Sequence, residues 1–219
     1  MYKNYTDKCS LSVKENVFQA KKIIIENIYN GAKLEGCNVT FPETETILNG
    51  VNVPGVSIND IECILNLRNA WRLLLKTIEK PLTLDYVCKI HGEVARNEAL
   101  EWGELRPGRV GISGTSYIPP IPIKENVESE LSEILSLSTA TSQAIYFFLW
   151  ATRSQLFWDG NKRNSTLIAN KILISAGRGI FTVRETNLLE FNKRLSAYYH
   201  EGDFSHIEDF LYHNCVICY

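Results

Sequence analysis

QLFWDGNKRNS, residues 155 to 165, joins two segments that read as helical core: AIYFFLW (144–150) runs towards it, and TLIANKILISAG (166–177) leaves it. Between them lie an acid, a glycine, an amide and two bases, a dense polar group inside apolar surroundings. If a helix starts near Asn161, its first backbone N–H groups have no intrahelical partner and carry partial positive charge suited to phosphate. Gly160 permits close backbone approach, Lys162 and Arg163 add full charges, and Asn161 adds a side-chain donor. Asp159 cannot serve an anion directly, but it can hold a hard divalent ion such as Mg²⁺ that bridges phosphate oxygens. Composition alone equally fits an ordinary helix start, with Asp159 as cap and two bases in solvent.

The 219 residues suffice for one well-packed domain, or a domain with a helical extension. Lys plus Arg number 23 and Asp plus Glu 25, a net charge of −2. No strong field therefore draws the chain to nucleic acid or a membrane surface. The polar start MYKNYTDKCS is unlike a secretory signal, and no apolar run approaches the roughly 18 residues of a membrane span. A cytoplasmic protein is expected. The six cysteines, Cys9, Cys37, Cys63, Cys88, Cys215 and Cys218, show no framework and are expected as free thiols. CVIC (215–218) has no second CxxC and no histidine pair to complete a zinc site.

Helical periodicity dominates. Val13, Val17, Ala20, Ile24 and Ile28 form the stripe of one amphipathic helix over 12–30. Ser57 is placed to cap a helix reaching Ile78, and Thr83 to open the next through DYVCKIHGEVARN (85–97). Further helices are expected near 125–137, 140–156, 161–177, 185–199 and 204–214. The glycine- and proline-rich interval WGELRPGRVGISGTSYIPPIP (102–122) reads as a small hairpin turning at Ser113-Gly114. The expected fold is mainly α, with an N-terminal helical segment over 1–56 and a core domain over 57–219.

The motif loop resembles the signature of the Fic/Doc family, HxFx(D/E)GN(G/K)R, at Phe157, Asp159, Gly160, Asn161, Lys162 and Arg163. GAKLEGCNVTFPETETILNG (31–50) looks like the inhibitory-helix segment of Fic proteins, with Glu35 and Gly36 at its Glu-Gly step. RPGRVGISGTSYIPP (106–120) looks like the flap that clamps the target segment, through Val110, Gly111, Ile112, Ser113, Gly114 and Tyr117. The resemblance, to cell filamentation-like proteins, implies a helical Fic fold with a β-hairpin flap over the active-site loop. It also implies transfer of AMP from ATP with Mg²⁺ to a hydroxyl of an unidentified target protein, and it admits a homodimer. Carried over by position, Asp159 coordinates the metal, Gly160 and Asn161 form the anion nest, Lys162 and Arg163 bind nucleotide phosphates, and Phe157 anchors the loop. This is electrostatic stabilisation of a transferring phosphate.

Departures from the pattern matter as much. Gln155 stands where the family has the histidine that takes the hydroxyl proton, and an amide has no titratable base near neutral pH. Lys162 replaces the glycine of adenylylating members, as in the Doc branch, which transfers a terminal phosphate instead. Thr166 replaces a second arginine that in the family pairs with the inhibitory glutamate, leaving Arg163 or Lys162 as partners for Glu35. Neither His91 nor His206 takes over the base role on sequence grounds. The expected function is a weakened protein adenylyltransferase, with Doc-like phosphoryl transfer or an inactive nucleotide- or protein-binding Fic module as alternatives.

Overall fold

The computed structural model describes residues 2–218. Helix α1 (Val13–Lys22) opens on a capping box, in which Ser12 accepts from the Glu15 N–H and Glu15 accepts from the Ser12 N–H. The single helix expected over 12–30 is in fact two. The chain breaks at Ile23 (φ −109°, ψ 22°) before α2 (Ile24–Leu34), at a run of three β-branched isoleucines whose crowded side chains are poor helix formers. A second capping box, Thr40 with Glu43, starts α3 (Phe41–Leu48), a helix that the periodicity did not reveal. Ser57 and Thr83 cap α4 (Ile58–Lys76) and α5 (Leu84–Val94) as expected. There follow α6 (Lys124–Leu135), α7 (Ala140–Ser154), α8 (Asn161–Ala176), α9 (Leu188–Glu201) and α10 (Glu208–Cys215). The last two are each led by a 3₁₀ turn.

The apolar runs either side of the motif become the central pair. α7 and α8 pack along each other, with Ile145 to Leu149 and Ile168, Leu173 and Ile174 fully buried. α1, α4 and α5 lie against α8, while α6 and α10 lie against α7. The N-terminal helices share one apolar cluster with this pair, through Ala20, Ile28 and Ala32. The fold is mainly α, as expected.

Two strands, β1 (Ile180–Phe181) and β2 (Val216–Ile217), pair antiparallel, Ile180 opposite Ile217. That pairing carries the C-terminus back beside residue 9. Leu11 N–H donates to the Gly177 carbonyl and Lys8 Nζ to that of Val216. Cys9 and Cys218 are consequently joined in a disulfide, Cα–Cα 6.1 Å, which corrects the expectation of six free thiols. Spacing could not reveal it, because a 209-residue separation is closed only by the folded topology. Cys37, Cys63, Cys88 and Cys215 are thiols.

The 102–122 interval turns where expected, with Gly114 at φ +81° and Thr115 N–H donating to the Ile112 carbonyl at 3.3 Å. Its arms form no ladder: among the described residues the strand pairing is β1 with β2. A buried arginine holds the segment instead. Arg106, 1% exposed, donates from Nε to the Gln155 carbonyl (2.5 Å), from Nη2 to Pro120 (2.6 Å) and from Nη1 to Gly108. These contacts fasten both arms to the end of α7. Gly108 leaves room for the Trp158 indole, which would have to shift to admit a Cβ there.

Candidate functional site

Gln155 ends α7 in the left-handed region (φ 46°, ψ 61°), so the chain leaves the helix sharply and re-enters at α8 six residues on. The loop between is closed by Asn161. Its Nδ2 donates to the Phe157 carbonyl (2.8 Å) and to Gln155 Oε1 (3.1 Å), and its Oδ1 accepts from Phe157 N–H (3.0 Å). Asn161 therefore acts as a clasp: both amide hydrogens are taken up inside the loop, unlike the free donor expected. Gly160 (φ +70°) caps α8, and a Cβ there would stand 3.2 Å from Val94 and 3.3 Å from Ala95. The N-terminus of α8 has no side-chain cap, and Asp159 Oδ1 accepts from Gly160 N–H at 2.6 Å.

Behind the loop, His91 stacks flat on Phe157, with ring centroids 3.7 Å apart and planes at 8°. Its Nδ1 accepts from Gly103 N–H (3.0 Å), which places the proton on Nε2, and Nε2 donates to the Asp159 carbonyl (2.9 Å). Burial lowers the His91 pKa to about 4, partly offset by the Asp159 carbonyl. The ring is neutral and fully engaged, a support and not a base, as its sequence reading expected. His206 pairs with Glu201 on the surface. Because the unfolded imidazole protonates near 6.5 and the folded one only near 4, acidification across that window favours unfolding, by roughly 3 kcal/mol in all. Urea titrations at pH 7 and pH 4.5 should show His91→Asn closing the stability gap to wild type as pH falls; a constant gap would contradict a neutral buried His91.

The charged motif residues lie towards α2. Lys162 Nζ donates to the carbonyl of Leu34, the last residue of α2, at 2.9 Å and lies 3.9 Å from Glu35 Oε2. Arg163, 1% exposed, sits behind the loop, donating from Nη1 to Glu98 Oε2 at 2.7 Å, with Nε 3.8 Å from Glu35 Oε2. Neither Arg163 Nε nor Glu35 Oε2 has a hydrogen bond, so the two face each other across that gap. Burial raises the Glu35 pKa against the pull of Arg163 and Lys162. For Arg163, burial alone would lower the pKa, but Glu35 and Glu98 outweigh it and raise it. Both partners anticipated for Glu35 are thus in place. Thr166 turns its hydroxyl back to the Lys162 carbonyl.

A cavity of about 320 Å³ opens at this point, lined by Glu35, Gln155, Asp159, Asn161 and Lys162. Gly111, Ile112 and Ser113 bring the flap segment to its edge, and Asn192, Leu195, Ser196 and Tyr199 of α9 form the facing wall. Arg163 and Gly160 stand behind the wall, and Gly36 (φ +88°), two residues past the end of α2, lies outside it. Val110, Gly114 and Tyr117 also lie off the cavity; the Tyr117 ring carries the Arg153 guanidinium at 3.6 Å. Sequence reasoning missed Arg106, Glu98 and the α9 wall. Glu98 alone left a trace, as an acid near the end of the helix that faces the motif.

Residues 81–173 match the Fic/DOC family. Relatives named protein adenylyltransferase Fic include one from Nematostella vectensis, 28% identical over 170 residues, 72% of this chain and 39% of that protein. One from Aedes aegypti is 29% identical over 168 residues, 72% of this chain and 33% of that protein. The chain thus spans between a third and two-fifths of these curated relatives' length. In fold it is similar to Fic-1 from C. elegans (TM-score 0.75, 18% identity, 91% of this chain and 66% of that one). It is also similar to a Fic domain containing signaling protein from Bacteroides thetaiotaomicron (TM-score 0.71, 17% identity, 91% and 85%). The matched segment, 81–173, contains the motif loop, and the fold around it is similar to that of these Fic structures.

Proposed function

We propose that this chain transfers AMP from ATP to a hydroxyl of a protein substrate, at a rate reduced by Gln155. The observation that carries the reading is the uncapped start of α8 beside a cavity walled by Asp159 and Lys162. Unpaired N–H groups at a helix start stabilise phosphate, and the names of the relatives give the transfer its class. Mg²⁺ fits the same wall. Asp159 is exposed there, and among the described residues no group of three acids, cysteines or histidines gathers to hold a metal. One carboxylate with nucleotide oxygens and water suits Mg²⁺, which keeps much of its hydration. When bound, the ion would neutralise charge on the phosphates; the chain supplies the α8 N-terminus, the clasp that fixes the loop, and Lys162.

The target would approach along residues 109–118. The backbone hydrogen bonds of that segment are few and local, which leaves an edge beside the cavity for an extended peptide. No helix among the described residues is long and apolar enough to cross a membrane. A cytoplasmic setting, expected from composition, and a homodimer, which rests on the resemblance alone, belong to the same proposal.

Incubation with Mg²⁺ and either α-labelled or γ-labelled ATP, scoring protein-bound label, tests the reading. Label from the α position only is expected. Label from γ only would replace it with phosphoryl transfer, and ATP binding without label would leave a module acting by occupancy. Gln155 keeps that last outcome in view, because its amide donates to the Thr152 carbonyl and accepts from Asn161 and offers no base.

A further inference from the structure

The surface formed by α1, the start of α2 and α4 carries cations that no carboxylate answers among the described residues. Arg68, Arg72 and Lys76 follow at intervals of four along α4 and so share one stripe of the helix. Lys21, Arg72 and Lys76 rim a cleft of about 400 Å³ whose floor is Ile24 and Leu75. Among the described residues none of these four cations forms an ion pair. Arg68 donates to the side-chain oxygen of Asn69 at 3.3 Å. Like charges four residues apart weaken a helix, and here two such pairs stand in series. The chain's net charge is −2, so the cluster is not a by-product of a basic composition.

We propose that this cleft docks an acidic segment of a partner protein, with carboxylates on the cationic rim and an apolar side chain on Ile24 and Leu75. An aliphatic floor between cations matches that pattern. A nucleic-acid strand fits less well, because the cleft lining holds no aromatic ring on which a base could stack. The site is separate from the motif cavity, yet Ile24 begins the helix that ends beside Glu35, roughly 16 Å along its axis. A docked partner therefore bears on the element that carries Glu35. The proposal does not depend on the transfer reading, since its test measures binding alone.

The test is fluorescence anisotropy of the full chain with a labelled peptide of alternating glutamate and leucine, and in parallel with a labelled oligouridylate. Saturable peptide binding is expected, weakening as salt rises from about 50 to about 200 mM. The Arg72→Glu/Lys76→Glu pair should bind at least about tenfold more weakly, whereas Lys193→Glu on α9 should bind as wild type does. If the charge-reversed pair fails to fold, Arg72→Gln/Lys76→Gln removes the charge with less repulsion and should show the same direction of change. Absent binding, undiminished binding by a folded charge variant, or tighter binding of the oligouridylate overturns the proposal.

Discussion

Exchanging Gln155 for histidine raises AMP transfer by about two to four orders of magnitude, the usual worth of a positioned general base. The position can take the change. Gln155 is left-handed at φ 46°, a region that histidine enters more readily than most residues, and it lines the cavity. His91 does not substitute, because it is neutral and bonded at both nitrogens behind Phe157. On the proposed reading the α8 N-terminus, and Asp159 through a bound Mg²⁺, would stabilise phosphate whether or not a proton acceptor is present, so a restored base would meet a site already arranged for the charge. Gln155→Ala should change little. Glu35 and Lys162 set how much of the gain appears, since both occupy the cavity wall and Lys162 is fastened to the end of α2. Wild type, Gln155→His, Lys162→Gly and the double variant, each with Glu35 intact or as glycine, should therefore be compared under α-labelled ATP. Label rising only when both motif positions change would mean that they diverged as a coupled pair. Retained ATP binding with no label in any combination would end the transferase reading.

What the sequence made legible follows the range of the interactions. Ser57 and Thr83 start helices through bonds to N–H groups three residues on, and such starts can be read locally. The motif loop is equally local: Asn161 clasps Phe157 four residues back, and Asp159 holds its neighbour Gly160. The apolar runs around it became the buried pair α7 and α8 for the same reason, a period of 3.6 in a continuous segment. The break at Ile23 is a balance of local propensity against a stripe that continues through Ile28, and periodicity alone favoured the stripe. Arg106 was not legible, because a guanidinium satisfied by carbonyls 2, 14 and 49 residues away leaves no acid in a recognisable pattern. Nor could the α9 wall be read: amphipathic spacing marks which residues of 185–199 are buried but not that Asn192 and Ser196 meet a cavity.

Removing the carboxylate at position 98 destabilises the fold by about 3 to 5 kcal/mol, the cost of breaking a buried pair and leaving one charge behind. Glu98 holds Arg163 at 2.7 Å and, through its other oxygen, Asn66 Nδ2 at 2.7 Å, joining α4, α8 and the chain after α5. Little else can hold that guanidinium. The Val94 carbonyl is 3.3 Å away and Cys63 Sγ 3.4 Å, while Glu35 stands at 3.8 Å without a hydrogen bond. Glu98→Ala should lower the melting temperature by on the order of 10 °C. Glu98→Gln, which preserves shape and can still accept, should fall between it and wild type. Adding Arg163→Met to Glu98→Ala tests the cause, because the stranded cation is then gone and much of the lost stability should return. The remaining acid, Glu35, loses the nearer of the opposing charges that hold its pKa down against burial, and it can take up a proton in place of the pairing. Loss of less than about 1 kcal/mol in Glu98→Ala, or no recovery in the double variant, would show that Arg163 is stabilised by something other than this carboxylate.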